Sequence, residues 1–83
     1  MAAVKYTSDA LDQLTGLPLV IQRRVEDVVL RLAKWPQVSG AKPLRGNLKG
    51  NYRIRTGDYR VVFRILGEEV LIWKIGYRGD IYD

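Results

Sequence analysis

Tyr52-Arg53-Ile54-Arg55-Thr56-Gly57-Asp58-Tyr59-Arg60-Val61-Val62-Phe63-Arg64-Ile65 is the stretch that decides the fold. On both sides of Gly57-Asp58 the side chains alternate with a period of two, the pattern of a strand covered on one face. A Gly-Asp pair between two such runs is a short turn signal, so the stretch predicts a β-hairpin. A third β-rich run, Glu69-Val70-Leu71-Ile72-Trp73-Lys74-Ile75, follows a second turn signal at Gly67-Glu68 and extends the hairpin into an antiparallel meander. Residues 42–44 and 4–6 are candidates to add an edge strand.

Alternation assigns the faces. Val61, Phe63 and Ile65 share one side of their strand, and Tyr52, Ile54 and Thr56 share one side of theirs. Arg53, Arg55, Arg60 and Arg64 must then point the other way. Four arginines on one face of two adjacent strands repel one another unless something anionic visits, which makes that face the candidate site.

Upstream the period changes to that of a helix. Ser8 is an N-cap candidate for a short helix over 9–14, with Asp9 in its first turn. Gly16 interrupts it, and Pro18 suits the first turn of a second helix. Ile21, Val25, Val28, Val29 and Leu32 then recur at helical spacing, with Arg23, Arg24, Glu26, Asp27 and Arg31 on the other face. Trp35-Pro36 ends that helix, predicted over 18–34. The short link between the two predicts a helical hairpin, and the whole an α+β fold with this hairpin packed on a small antiparallel sheet. Trp35 and Trp73 are expected in the core.

At 83 residues, 47% hydrophobic and 28% charged, the chain has the composition of a single globular domain spanning residues 1–83. Its apolar runs are far shorter than the roughly 20 residues a membrane helix needs, which points to a cytoplasmic protein with no membrane partner. There is no cysteine and no histidine. Thiolate chemistry, disulfides and the usual zinc sites are thereby removed, and no side chain has an ordinary pKa near neutrality. No Gly-rich phosphate loop or metal-ligand cluster is visible, so neither a metal nor another cofactor is expected.

The net charge of +5 is unevenly spread. Between Lys42 and Arg64 lie seven basic residues and one acidic one, Asp58. Such a field favours a polyanion or an acidic protein. For RNA it also has a chemical use. When a 2′-hydroxyl attacks the adjacent phosphorus, negative charge builds on the phosphoryl oxygens, and arginines placed there stabilise the transition state more than the ground state. A proton must leave the 2′-hydroxyl and another must reach the departing 5′-oxygen. Tyr82 is the candidate proton carrier, since a guanidinium cluster lowers a phenol's pKa.

Four segments resemble the RelE/ParE superfamily of toxins. Pro43-Leu44-Arg45-Gly46, Tyr52-Arg53-Ile54-Arg55 and Asp58-Tyr59-Arg60-Val61-Val62-Phe63 are similar to its central strands, and Ile75-Gly76-Tyr77-Arg78-Gly79-Asp80-Ile81-Tyr82 to its last strand and tail. The resemblance covers almost the whole chain and implies the RelE-like microbial RNase fold. It further implies ribosome-dependent, metal-independent mRNA cleavage at the A site, giving a cyclic phosphate, and neutralisation by a cognate acidic antitoxin in a toxin-antitoxin hetero-oligomer. Carried over by position, the catalytic set is Arg53, Arg55, Arg60, Arg78 and Tyr82. Arg45 matches a basic position before the sheet, and Lys42, Lys49, Arg64 and Lys74 are candidate RNA contacts. The chain departs from the family where arginines replace lysines on the first central strand and where Tyr77 replaces a histidine of some relatives. Two alternatives stand beside a nuclease: a ParE-like inhibitor of DNA gyrase, and a basic binding module without catalysis.

Overall fold

The structure, a computed structural model, describes residues 2–77. In chain order it runs β1 (Ala3–Tyr6), α1 (Ser8–Thr15), α2 (Leu19–Leu32), β2 (Lys42–Pro43), a single 3-10 turn (Gly46–Leu48), β3 (Asn51–Thr56), β4 (Tyr59–Leu66) and β5 (Glu69–Tyr77). The five strands form one sheet in the order β1-β5-β4-β3-β2.

The predicted meander forms the centre of this sheet. Gly57 and Gly67 open its two turns with φ of 60° and 62°, and no described residue other than glycine has a positive φ. A positive φ at the first turn residue and a negative φ at the second is the pattern of a type II′ turn, whose twist suits a tight hairpin. Glycine is required at that first position because a Cβ there is strained.

Both candidate edges are occupied. β2 pairs antiparallel with β3, whereas β1 pairs parallel with β5, so the sheet is mixed rather than wholly antiparallel. A parallel pair needs a long crossover, and the helices and the rest of the meander supply it between β1 and β5.

The helices start and stop slightly away from the sequence expectation. Thr7, not Ser8, caps α1: its hydroxyl accepts the Ala10 N–H at 3.1 Å. That spacing is the N-cap to N3 bond, leaving Ser8 as the first helical residue. In α2 Pro18 occupies the N-cap position, and the helix ends at Leu32.

Ala10 of α1 and Val25, Val28 and Leu32 of α2 pack on Ile54, Val61, Phe63, Val70, Ile72 and Ile75 of the sheet. Trp35 meets this core edge-on, with ring centroids 4.9 Å from Tyr52 and 5.4 Å from Phe63. All helical packing therefore falls on one face of the meander, and the opposite face is left for the cations. No helix of the described residues is long and apolar enough to cross a membrane.

Phe63 is fully buried at the centre of that core. Phe63→Ala is expected to cost roughly 3–5 kcal/mol, a large part of the roughly 5–15 kcal/mol available to a domain. The urea midpoint should fall accordingly, while Arg64→Ala, an exposed change on the other face, should leave it nearly unmoved.

Candidate nucleic-acid interface

Cross-strand register converts the alternation into an array. Paired residues in neighbouring strands share a face, with Cβ atoms about 4.5–5.5 Å apart in an antiparallel pair. Lys42 pairs with Arg53, Arg53 with Val62, and Val62 with Lys74, so one row across the outer face reads Lys42, Arg53, Val62, Lys74. The adjoining row reads Arg55, Arg60, Gly76. Arg53, Arg55 and Arg60 are thus brought together by two strands and one turn.

Gly76 stands opposite Arg60 without a side chain, so nothing from β5 projects over the Arg55–Arg60 pair. Arg78 follows Tyr77 directly in the chain, but Arg78 and Tyr82 lie outside the described residues.

The three central arginines are held to different degrees. Arg53 is 7% exposed, Arg60 is half-buried and Arg55 is exposed. The Nε atoms of Arg53 and Arg60 are shut off from solvent, and each of the three residues makes a further contact within the chain. Cations fixed before an anion arrives lose little freedom when it binds, which is the condition for strong electrostatic stabilisation. A guanidinium also presents a planar fork of N–H donors that matches two phosphate oxygens.

The remaining predicted cations divide into two groups. Lys74 is half-buried and shares the row of Arg53, and Lys42 is exposed at the end of that row. Arg64 is on the same face but pairs with Asn51, two positions beyond Val62 and about 13 Å along β4 from Arg60. Arg45 and Lys49 flank the 3-10 turn and are exposed. They belong to the rim, with Arg53, Arg55 and Arg60 at the centre.

One part of this face escaped the sequence reading. Leu44 and Val62 are buried together, with Leu48 and Trp73 packed against them, in a small apolar cluster on the side away from the helices. Trp73 therefore does not join the main core, unlike Trp35. Its Nε1–H donates to Asn51 Oδ1 at 2.8 Å, and Asn51 Nδ2 donates to the Leu48 carbonyl at 3.1 Å. These two bonds tie the 3-10 turn, and with it Arg45 and Lys49, to the sheet.

A β-bulge makes this possible. The β4–β5 register slips at Val62/Phe63, where Val62 pairs with Lys74 but Phe63 pairs with Ile72. Trp73 and Lys74, consecutive in the chain, therefore both point to the outer face, as the extra residue of a bulge allows. Gln13 of α1 accepts the Ile75 N–H at 2.7 Å beside the irregularity. The signal was present in the sequence: the buried positions Val70, Ile72 and Ile75 are spaced by two and then by three.

Other groups of chemical interest lie elsewhere. Tyr6 is on the helical side, and burial, with Glu26 adding to it, raises its phenol above the ordinary pKa. Tyr59 and Tyr77 meet edge-on at 5.7 Å, also on the helical side by alternation. A cavity of about 270 Å³ lined by Trp35, Ile65, Glu68 and Glu69 among others sits by the β4–β5 turn, at the far end of β4 from Arg60. The arginine array is an open face, suited to an extended ligand rather than an enclosed one.

A small domain with two helices on one side of its sheet and ordered arginines on the other has clear counterparts. The family model for the ParE toxin of type II toxin-antitoxin systems, parDE, matches residues 4–82. The chain belongs to the RelE/ParE family and is a toxin of a type II toxin-antitoxin system. It is 37% identical over 82 residues to Toxin RelG of Mycobacterium tuberculosis, covering 95% of this chain and 93% of that one. Among solved structures, the toxin-antitoxin complex RelBE2 from Mycobacterium tuberculosis matches at a TM-score of 0.82 and 31% identity, over 93% of this chain and 98% of that one. The archaeal RelE-RelB complex from Pyrococcus horikoshii matches at 0.74 and 26% identity, over 96% and 98% of the two chains. The isolated E. coli RelE toxin, at 20% identity and a TM-score of 0.78 over 93% and 84%, shares the fold.

Asn51→Ala removes both bonds that fasten the 3-10 turn. The expected cost is roughly 1–3 kcal/mol, and the amide of Lys49, bonded to the Gly46 carbonyl at 3.1 Å, should exchange faster with solvent than in the parent. Unchanged exchange there would show that apolar packing alone holds the segment.

Proposed function

We propose that this toxin is a ribosome-dependent, metal-independent endoribonuclease that cleaves mRNA in the A site and so arrests translation. The observation that carries this reading is the pairing of Arg55 with Arg60 across β3 and β4, with Arg53 beside them and glycine at position 76 opening the approach. In the proposed reaction the 2′-hydroxyl attacks the neighbouring phosphorus and the bond to the 5′-oxygen breaks, leaving a 2′,3′-cyclic phosphate and a 5′-hydroxyl. Arg53, Arg55 and Arg60, joined by Arg78, neutralise the charge that develops on the non-bridging oxygens. Tyr82 takes part in moving the proton from the 2′-hydroxyl or to the leaving oxygen. Lys42, Arg45, Lys49, Arg64 and Lys74 hold the RNA backbone around this centre.

The partner proposed for the resting state is an acidic antitoxin. The related RelBE2 and Pyrococcus horikoshii structures are complexes of a toxin with its antitoxin. A segment that folds on binding could cover the arginines and so mask the toxin.

The family model's description as a ParE toxin supports a second reading, inhibition of DNA gyrase without RNA cleavage. Transcript mapping by primer extension after induction separates the two. New 5′ ends within translated reading frames support the nuclease, whereas intact transcripts with DNA damage support gyrase poisoning.

For the nuclease, removal of one charge-stabilising donor is expected to cost roughly 2.7–4 kcal/mol of transition-state stabilisation, or about 100- to 1,000-fold in cleavage rate. Arg60→Ala and Tyr82→Phe should each relieve growth arrest while leaving the thermal unfolding midpoint close to the parent's. Full toxicity in both would remove these residues from the mechanism.

A further inference from the structure

The outer face does not end at the β3–β4 turn. Gly57, the first residue of that turn, is approached from the helical side: a Cβ built on it would lie 2.9 Å from Nη1 of Arg24. The Arg24 guanidinium, reaching out from α2, is thus laid against the turn that joins the two arginine-bearing strands. Gly57 is two residues from Arg55, about 7 Å along an extended chain, so this cation borders the turn that closes the Arg55–Arg60 pair.

Arg24 is exposed, and among the described residues no carboxylate stands within 4.0 Å of it. This holds although Asp27 is three positions along the same helix and Asp58 is the next residue of the turn. No described carboxylate therefore neutralises its charge, and a side chain at position 57 would crowd it.

We propose that Arg24 extends the anion-binding track of the outer face around the β3–β4 turn onto α2, where it contacts the phosphodiester backbone of the bound RNA. The site it forms lies beyond the Arg55–Arg60 row at the turn end of the hairpin, so an RNA strand lying across that row and leaving past the turn meets a further cation. Arg24 is a binding residue and has no part in bond-breaking. The inference rests on the proposed RNA-directed function.

The test is binding of the full-length toxin to a fluorescent single-stranded RNA carrying 2′-O-methyl groups throughout, which cannot be cleaved by 2′-hydroxyl attack. Fluorescence anisotropy is followed across a salt series for the parent, Arg24→Gln, Arg24→Lys and Lys34→Gln. Lys34 lies beyond the C-terminal end of α2 and removes the same charge at a different place. One lost phosphate contact to a single strand should lower the slope of log affinity against log salt by about 0.7 and weaken binding roughly threefold. Arg24→Gln should do this, Arg24→Lys should restore the slope, and Lys34→Gln should match the parent.

The proposal is overturned if Arg24→Gln keeps the parent's slope, or if Lys34→Gln loses as much, which would make the effect one of net charge. A parent that does not bind the RNA overturns this inference alone, because the ribosome-dependent nuclease reading is decided by transcript mapping and does not require the free toxin to hold a free strand. A parent that binds with the expected Arg24 dependence but cuts no transcript in cells sustains Arg24 as a backbone contact and overturns the nuclease reading alone.

Discussion

The two-residue turn at Gly57-Asp58 fixes which residues of β3 and β4 face one another, and the rest of the molecule follows from that register. With Thr56 set opposite Tyr59, Arg55 must oppose Arg60, and Ile54 must oppose Val61. A slip of one residue would turn Ile54 toward the cations and Arg53 toward the helices, because side chains alternate with a period of two. Ile54, Val61 and Phe63 are almost completely buried under the helices, so such a slip is resisted by the whole core. The apolar face therefore holds the arginine face in place.

Collecting like charges on one surface is unfavourable, and the local structure spreads its cost. Val62 separates Arg60 from Arg64 along β4, and the cluster of Leu44, Leu48, Val62 and Trp73 sets an apolar floor between the central arginines and the rim. The bulge at Trp73 and Lys74 supplies both a packing group and a cation to the same face. The outcome is a positively charged surface whose centre, at Arg53 and Arg60, is packed into the sheet before any ligand arrives. A polyanion, or an acidic protein segment, then relieves repulsion that the fold has already accepted. Under the proposed function that one feature serves both activity and its suppression by an antitoxin.

Much of this was legible in the sequence because period-two alternation and Gly-containing turns are local signals. The meander, its two turns, the orientation of Arg53, Arg55, Arg60 and Arg64, and the helical face of α2 were all readable in this way. Features that depend on distant partners were not. Nothing near Val4 tells that β1 will lie parallel to β5, because the pairing of Val4 with Val70 spans most of the chain. Thr7 and Ser8 are both good caps, and only the geometry of entry into α1 selects Thr7. The three-residue gap between Ile72 and Ile75 did record the bulge, but an apolar Trp73 within the run hid it. The approach of Arg24 to Gly57 joins a helix to a turn and has no counterpart in local pattern. Arg78 and Tyr82, read from family resemblance, lie outside the described residues and remain part of the proposed mechanism.

The most direct test of an arginine array built to stabilise a phosphorane-like charge is cleavage of mRNA on purified ribosomes with the codon in the A site. Two messages would be compared, one natural and one carrying a single 2′-deoxynucleotide at the mapped cut. Attack by the 2′-hydroxyl predicts that the natural message is cut to a 2′,3′-cyclic phosphate end and that the deoxy substitution abolishes cutting at that position. Equal cutting of both messages would contradict attack by the 2′-hydroxyl. Failure to cut either would contradict the assignment of this toxin as a ribosome-dependent nuclease.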